Sequence, residues 1–559
     1  MSQPADLLIV HARCFTADPL KPSAEAVAVM GNRIVFVGSD RDALAWIGPG
    51  TRVIDARRRT LMPGFIDSHY HLFWGSLELA DAQLSDAKTL DALSSALRAF
   101  AHEHPDRQWL IGRGLSYGLK PDRSSLTRHD LDAILADRPL IVYAYDKHTA
   151  WANTIALERG GILRGGEVGP NSEIVMGHDG LASGELRESA SDPIERIISP
   201  PTDADKRQRL RQGLRLAAEQ GVTSVHNMDG NLDQLALYAA LDDLGELTLC
   251  VYVPYSVRPD TPPDALTEAV KMREKMNPRM HTNEHELVRD DSWRFVDRSS
   301  LVRAGSVKFF MDGVIESYTA LLLDEYADRP GYLGGANFDA EHFNRMAIEA
   351  DRLGLQIAVH AIGDAAVRRT LDGFEAARRA NGVRDSRHRI EHIELIHPDD
   401  APRFAQLGVI ASMQPLHAPQ TAQGLDVWPT RVGLSRWDRS FAWRTLRESG
   451  ARLVFGSDWP VVSLNPMLGV HAALNRSAWR AGGLDPRQTL ADTLIAYTRD
   501  AAYAEFQDQF KGQLRVGLLA DMVVLSEDIF RMPAESIDQV RSVLTVCDGR
   551  IVHEMQEAL

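Results

Sequence analysis

Met62-Pro-Gly-Phe-Ile-Asp-Ser-His-Tyr-His71 is the stretch on which the fold turns. A Pro-Gly turn leads into a short apolar run that ends in His69 and His71. Side chains alternate across a strand, so residues two apart point the same way and both imidazoles can grip one cation. Alone, the pair reads equally as two polar residues at a strand exit. The arrangement recurs, however. Lys308 lies in Gly305-Ser-Val-Lys-Phe-Phe-Met-Asp-Gly313, His360 in Gln356-Ile-Ala-Val-His360, His392 in His388-Arg-Ile-Glu-His392 and Asp458 in Leu453-Val-Phe-Gly-Ser-Asp458. A barrel of parallel strands with metal ligands at its C-terminal rim produces this pattern.

Working outward, apolar strands alternate with helical stretches through the middle of the chain, which predicts βαβ units. The strands are expected to end near His71, His226, Tyr255, Asp312, His360, His392, Gln414 and Asp458, the number needed to close a barrel. Both termini read as β structure: Asp6–Val10, Ala26–Met30 and Arg33–Val37 at one end, Ala520–Leu525, Val543–Val546 and Arg550–His553 at the other. The expected fold is therefore α/β: a (β/α)8 TIM barrel over 61–511 and a small composite β-sandwich from 1–60 and 512–559. A segment of about 84–202 is too long for one crossover and is expected to be an inserted subdomain over the barrel mouth.

The 559 residues carry 62 basic and 77 acidic side chains, a net charge of −15. Without a basic block to overcome that repulsion, nucleic acid and membrane are not expected as partners. The three cysteines, Cys14, Cys250 and Cys547, are far apart and lack Cys-x-x-Cys spacing, so neither a disulfide framework nor a thiolate zinc site is indicated. Met-Ser-Gln-Pro-Ala-Asp at the start shows no basic stretch followed by an apolar one, and a cytoplasmic protein is the expectation.

Three readings compete for Lys308 in its apolar strand. It pairs with Asp312 on the same face, forms a Schiff base with a carbonyl substrate, or is carboxylated into an anion that bridges cations. Around His392, alternation places His388, Ile390 and His392 on one face and Arg389, Glu391 and Ile393 on the other. Asp67 shares the parity of His69 and His71 and is a candidate to orient an imidazole. Asp458 is either a helix N-cap before Pro460 or a ligand able to take a proton from water. Nitrogen and oxygen donors without thiolates favour Zn2+, with Mn2+, Fe2+ or Co2+ as alternatives, at one or two divalent cations per subunit. Trp74, His226, Gln414 and His417 follow strand ends and are candidate substrate contacts; Asn227, and Asp146 and His148 from the insertion, are weaker ones.

These residues in this order resemble the amidohydrolase superfamily, in its branch of N-substituted formamide deformylases and YtcJ-like metal-dependent hydrolases (amidohydrolase family 3). The matching stretches are Pro63–His71, Ser306–Gly313, Thr319-Ala320, Val359–Asp364, Arg389–His392, Ser412–Pro415 and Gly456–Pro460, with Gly517–Leu525 as the returning sandwich segment. The resemblance implies that His69 and His71 hold one metal, His360 and His392 another, and carboxylated Lys308 bridges them. Asp458 would ligate and shuttle protons, making Asp458, Lys308 and His360 the catalytic set. The implied reaction is hydrolysis of a non-peptide carbon–nitrogen bond, most simply in a small linear amide, by attack of a metal-activated water. Opening a cyclic amide or deaminating a ring is the alternative on the same centre. A Schiff-base lyase built on Lys308 leaves the His-x-His pair and Asp458 unexplained. A homodimer is a further expectation. One departure stands out: Gly313-Val-Ile-Glu-Ser317 carries Glu316 where relatives usually have smaller residues, so Glu316 is expected to reshape the substrate pocket.

Overall fold

The computed structural model describes residues 3–122, 124–169, 171–276, 300–419 and 427–555. Its centre is an eight-stranded, all-parallel sheet. We number its strands β1 (Phe65–Tyr70), β2 (Val222–Asn227), β3 (Cys250–Ser256), β4 (Val302–Phe310), β5 (Gln356–Ala361), β6 (Arg389–His392), β7 (Ile410–Met413) and β8 (Arg452–Phe455). Each strand pairs with its successor in sequence. The ends meet just past β8, where Tyr70 bridges Trp459 in parallel and the Asp458 amide donates to the His69 carbonyl at 2.6 Å. The sheet is thus a nearly closed TIM barrel.

Alternation along β4 explains the layering. Val307, Phe309 and Met311 enter the apolar layer between sheet and helices, where Phe309 packs at 5.5 Å against both Phe338 and Phe343. Lys308 and Phe310 take the other face. The helix Ala340–Arg352 buries Phe343, Met346, Ala347 and Ala350, a stripe of helical period, and Asp339 caps it by accepting from the His342 amide at 2.8 Å. Thr202 and Asp205 form a capping box at the start of the helix Asp203–Glu219.

Three further sheets accompany the barrel. The termini build a four-stranded sheet from Leu7–Val10, Ala26–Met30, Arg33–Gly38 and Arg52–Asp55, and a six-stranded one that includes Arg13–Phe15, Met522–Leu525, Ser542–Cys547 and Arg550–Glu554. One apolar cluster, with Ile9, Val27, Val29, Met522, Val524 and Val546, joins residues from both ends of the chain. Thr60–Pro63 belongs to this second sheet, so the chain crosses from sandwich to barrel at Gly64. Between β1 and β2, strands from Ala82 to Arg187 form a mixed six-stranded sheet with an apolar cluster on each face. Among the described residues no helix is long and apolar enough to cross a membrane.

Gly456 sits where β8 meets β1. A Cβ there would lie 2.4 Å from the His69 amide nitrogen and 2.7 Å from Asp67 Oδ1. Both are backbone or buried groups with no room to retreat. Gly456→Ala is expected to cost about 1–3 kcal/mol by overpacking, seen as a lowered Tm; an unchanged Tm would show that the closure tolerates a methyl group.

Candidate metal centre

The rim of the barrel gathers side chains from five strands around Asp458. Its Oδ1 lies 3.0 Å from His71 Nε2 and 3.4 Å from His69 Nε2, both from β1 or its end. Its Oδ2 lies 3.7 Å from His417 Nε2 and 3.9 Å from His392 Nδ1. Two sets of donor atoms converge within 4.8 Å: His69, His71 and Asp458, and His392, His417 and Asp458. His360 joins by ring contact, 4.5 Å from the His392 ring centroid, while its Nε2 faces the Gly313 carbonyl at 3.1 Å. Lys308 is completely buried, and its Nζ has no hydrogen-bond partner among the described residues.

The backbone turns sharply where two of these groups leave their strands. His392 has φ 74° and Asp458 φ 62°, left-handed values uncommon outside glycine. At β6 this corrects the expected faces. His388 points outward, to Asp351 at 3.1 Å and the Phe374 ring. Arg389 and Glu391 point into the barrel, and His392 joins them because its backbone departs from strand geometry. The expected pairing of Lys308 with Asp312 is also corrected. Asp312 accepts from the amides of Leu321, Ile362 and Gly363 at 2.9–3.0 Å, which ties the loops after β4 and β5 together.

The imidazoles are oriented from behind. Glu391 Oε2 contacts His69 Nδ1 at 2.8 Å and Asp229 Oδ1 contacts His71 Nδ1 at 2.7 Å, leaving both Nε2 atoms toward Asp458. Gln414 Oε1 contacts His392 Nδ1 at 2.9 Å. Asp67, the expected orienting carboxylate, instead accepts from the Ser457 amide at 2.9 Å and the His69 amide at 3.2 Å, bracing the seam of the barrel. Asp229 and Glu391 escaped the sequence reading. Asp229 lies beyond the strand end in Asn227-Met-Asp229, a signal visible only once β2 is known to neighbour β1.

Burial sets the charges. It pushes His69 down to about 4 and His360 and His392 well below the ordinary imidazole value, so these rings are neutral, as metal ligands must be. For His71 burial works the same way but Asp229 and Asp458 outweigh it and raise the ring. Burial would raise Asp458, yet the imidazoles around it, His69 first, hold it well below the usual carboxylate range. Burial lowers Lys308 to about 8. Asp458 Oδ1 facing two imidazole nitrogens, with His417 Nε2 and Lys308 Nζ lacking hydrogen-bond partners among the described residues, makes a set of nitrogen and oxygen groups without a thiol that fits a divalent cation.

A cavity of about 1150 Å³ opens over this centre, walled by the insertion. Trp74, Glu316 and His417 line it, as do Asp146 and His148, which the insertion brings down so that the His148 ring lies 5.4 Å from that of His360. Trp74 stacks on His71 at 5.5 Å. His226 does not line it: the ring is wholly buried and meets Arg389 Nη1 at 2.6 Å inside the barrel. Gln414 likewise faces His392 rather than the cavity, and Asn227 accepts from the Leu72 amide at 2.9 Å.

Residues 52–553 match the amidohydrolase family, and the chain belongs to it. The parallel barrel, its rim of donors and this membership define a metal-dependent hydrolase of carbon–nitrogen bonds. Protein LONG AFTER FAR-RED 3 of Arabidopsis thaliana is 30% identical over 93% of this chain and 87% of its own length. The putative amidohydrolase YtcJ of Bacillus subtilis is 28% identical over 95% and 96%, and the N-substituted formamide deformylase of Arthrobacter pascens is 25% identical over 99% of both chains. An uncharacterized metal-dependent hydrolase of Pyrococcus furiosus superposes with a TM-score of 0.67 at 25% identity, covering 93% of this chain and 98% of its own.

Because Asp229 fixes which nitrogen of His71 is free to bind, Asp229→Ala is expected to weaken metal affinity about 10- to 100-fold, measured by competition with a chromophoric chelator. Unchanged affinity would show that His71 is positioned without it.

Proposed function

We propose that this chain hydrolyses a linear amide, with N-substituted formamides and other N-acyl amines as the first substrates to test. The observation that carries the reading is the convergence of His69, His71 and Asp458 donor atoms at the C-terminal rim, beneath a cavity roomy enough for a small molecule. Similarity to the deformylase along the whole chain supports the choice of formamides.

His69, His71 and Asp458 would hold one cation, with zinc the first candidate. His392 would hold a second together with His417 or His360; His417 is better placed because its Nε2 faces Asp458 at 3.7 Å and makes no hydrogen bond among the described residues, whereas that of His360 faces a carbonyl. A divalent cation bound there polarises the amide carbonyl and acidifies the attacking water. Asp458 takes the proton from that water and delivers it to the leaving nitrogen, releasing the carboxylic acid and the amine. Glu391 and Asp229, each at the Nδ1 of a β1 imidazole, would hold the two rings with Nε2 turned toward the cation. Lys308, a buried amine with its basicity lowered, is suited to add to carbon dioxide, forming a nitrogen–carbon bond and releasing one proton to solvent, and the carbamate anion would then help hold the cations.

Asp458→Ala is expected to lower kcat/KM by at least about 100- to 10,000-fold on any amide the wild-type protein cleaves; full activity would remove Asp458 from the reaction. Lys308→Ala is expected to lose bound metal, read by elemental analysis, and to recover part of its activity with added formate or acetate. Undiminished metal content with no recovery would overturn the carboxylated lysine. Dialysis against a chelator should abolish turnover and Zn2+, Mn2+ or Co2+ should restore it, whereas activity in fully metal-free protein would overturn the reading.

A further inference from the structure

The cavity has a second chemical feature that amide hydrolysis does not use. Asp146, at the tip of the insertion in Tyr145-Asp-Lys-His148, lines the cavity with only 9% of its surface exposed. Its Oδ1 accepts from the Tyr117 hydroxyl and the His148 amide, each at 3.1 Å. Its Oδ2 is buried and has no hydrogen-bond partner among the described residues. Glu316, from the loop after β4, lines the same cavity, with its Oε1 accepting from the Tyr145 hydroxyl at 2.9 Å. The insertion and the barrel therefore each contribute one carboxylate, and Tyr145, next to Asp146 in sequence, donates to Glu316.

The cations nearby make their ion pairs with other carboxylates, although the charge of His148 also bears on Asp146. Lys147 reaches Glu78 at 2.9 Å and lies over the Trp74 ring; Arg113 pairs with Glu78 and Asp81, and Arg107 with Asp81. His148 pairs with Glu188 at 2.8 Å. None of them forms an ion pair with Asp146 among the described residues. A buried carboxylate oxygen left without a donor is costly, and a ligand that brings its own positive N–H group offsets that cost. Tyr145 lines the cavity, and its ring lies 6.0 Å from that of Tyr117, an aromatic surface that suits the methylene stem and charge of an alkylammonium.

We infer that Asp146, with Glu316 lining the same cavity, forms a subsite for a cationic group, and that the preferred substrate is a linear amide carrying an ammonium or guanidinium a few bonds from the scissile carbon–nitrogen bond. This inference rests on the amide-hydrolase reading above. The position of His148, between Asp146 in sequence and the His360 ring in space, places the subsite within one side chain of the metal centre. Asp146 and Glu316 select the substrate through its charged end and take no part in breaking the bond.

The test compares N-acetyl-1,4-diaminobutane with its neutral analogue N-butylacetamide, together with the corresponding pair of formamides. Wild-type protein is expected to favour the cationic member of each pair by about 10- to 100-fold in kcat/KM, the range for a hydrogen bond to a charged group. Asp146→Asn and Glu316→Gln should each reduce that ratio at least several-fold, a readout insensitive to the fraction of active protein. A wild-type ratio near one, or a ratio that both variants leave intact, overturns the inference. If none of the four amides is cleaved, calorimetric binding of the acetamide pair decides separately. Tighter binding of the cation, lost in Asp146→Asn, keeps the subsite while the hydrolytic reading fails, and equal binding removes the subsite.

Discussion

Asp458 donates its amide to the carbonyl of His69 at 2.6 Å, His71 donates to the carbonyl of Trp459 at 2.9 Å, and the Ser457 amide is held by Asp67. These backbone contacts join residues almost 400 positions apart, and the candidate site depends on them. Without the seam, the imidazoles of β1 and the carboxylate beyond β8 would lie on opposite edges of an open sheet. Gly456 permits the approach because a side chain there would strike His69. The left-handed turn at Asp458 then brings its carboxylate back over the two imidazoles. The conformational cost of such a turn, roughly 1–3 kcal/mol, persists only where the surroundings fix it, and the seam does so.

Support for the seam comes from within the barrel. Arg389, wholly buried, donates to the Ser68 carbonyl on β1, to Ser412 on β7 at 2.7 Å and to Glu391 on its own strand, while also contacting His226 on β2. Glu391 in turn holds His69. Lower down, Lys511 reaches Ser224 at 2.8 Å and Glu505 at 2.7 Å, and Glu505 lies 3.8 Å from His226. A buried guanidinium is costly unless its donors are satisfied, and here one cation ties together strands from opposite sides of the barrel. The polar network therefore specifies which strands are neighbours as well as orienting a ligand.

How much of this was legible follows from where local rules apply. Apolar runs ending in polar residues mark where strands stop, and all eight expected strands are present in chain order. Alternation holds along β4, so the outward position of Phe309 and the inward one of Lys308 could be read directly. It fails at β6, because the positive φ at His392 changes the face at the residue that matters most. No local pattern announces such a turn at a histidine. Hydrogen-bond partners were less legible still. Asp67 has the parity of an orienting carboxylate but is captured by Ser457 of the opposite strand end, and Asp312 is captured by three amides before Lys308 can claim it.

The division between barrel and insertion bears on why the chemistry and the specificity are legible to different degrees. The candidate donors sit on, or just beyond, strands whose register is fixed by hydrogen bonds to both neighbours, so their spacing in sequence carries structural information. Cavity residues such as Asp146, His148 and Glu316 sit on loops from two separate elements, and only the packing of the insertion on the barrel brings them together. Tyr145 makes that junction polar by donating to Glu316, and Asn171 adds a second tie by donating to the Thr319 carbonyl at 3.0 Å. Exchanging the insertion would therefore change what the cavity accepts while leaving His69, His71 and Asp458 in place. Conversely, a change in the barrel seam would displace these candidate donors whatever the cavity binds.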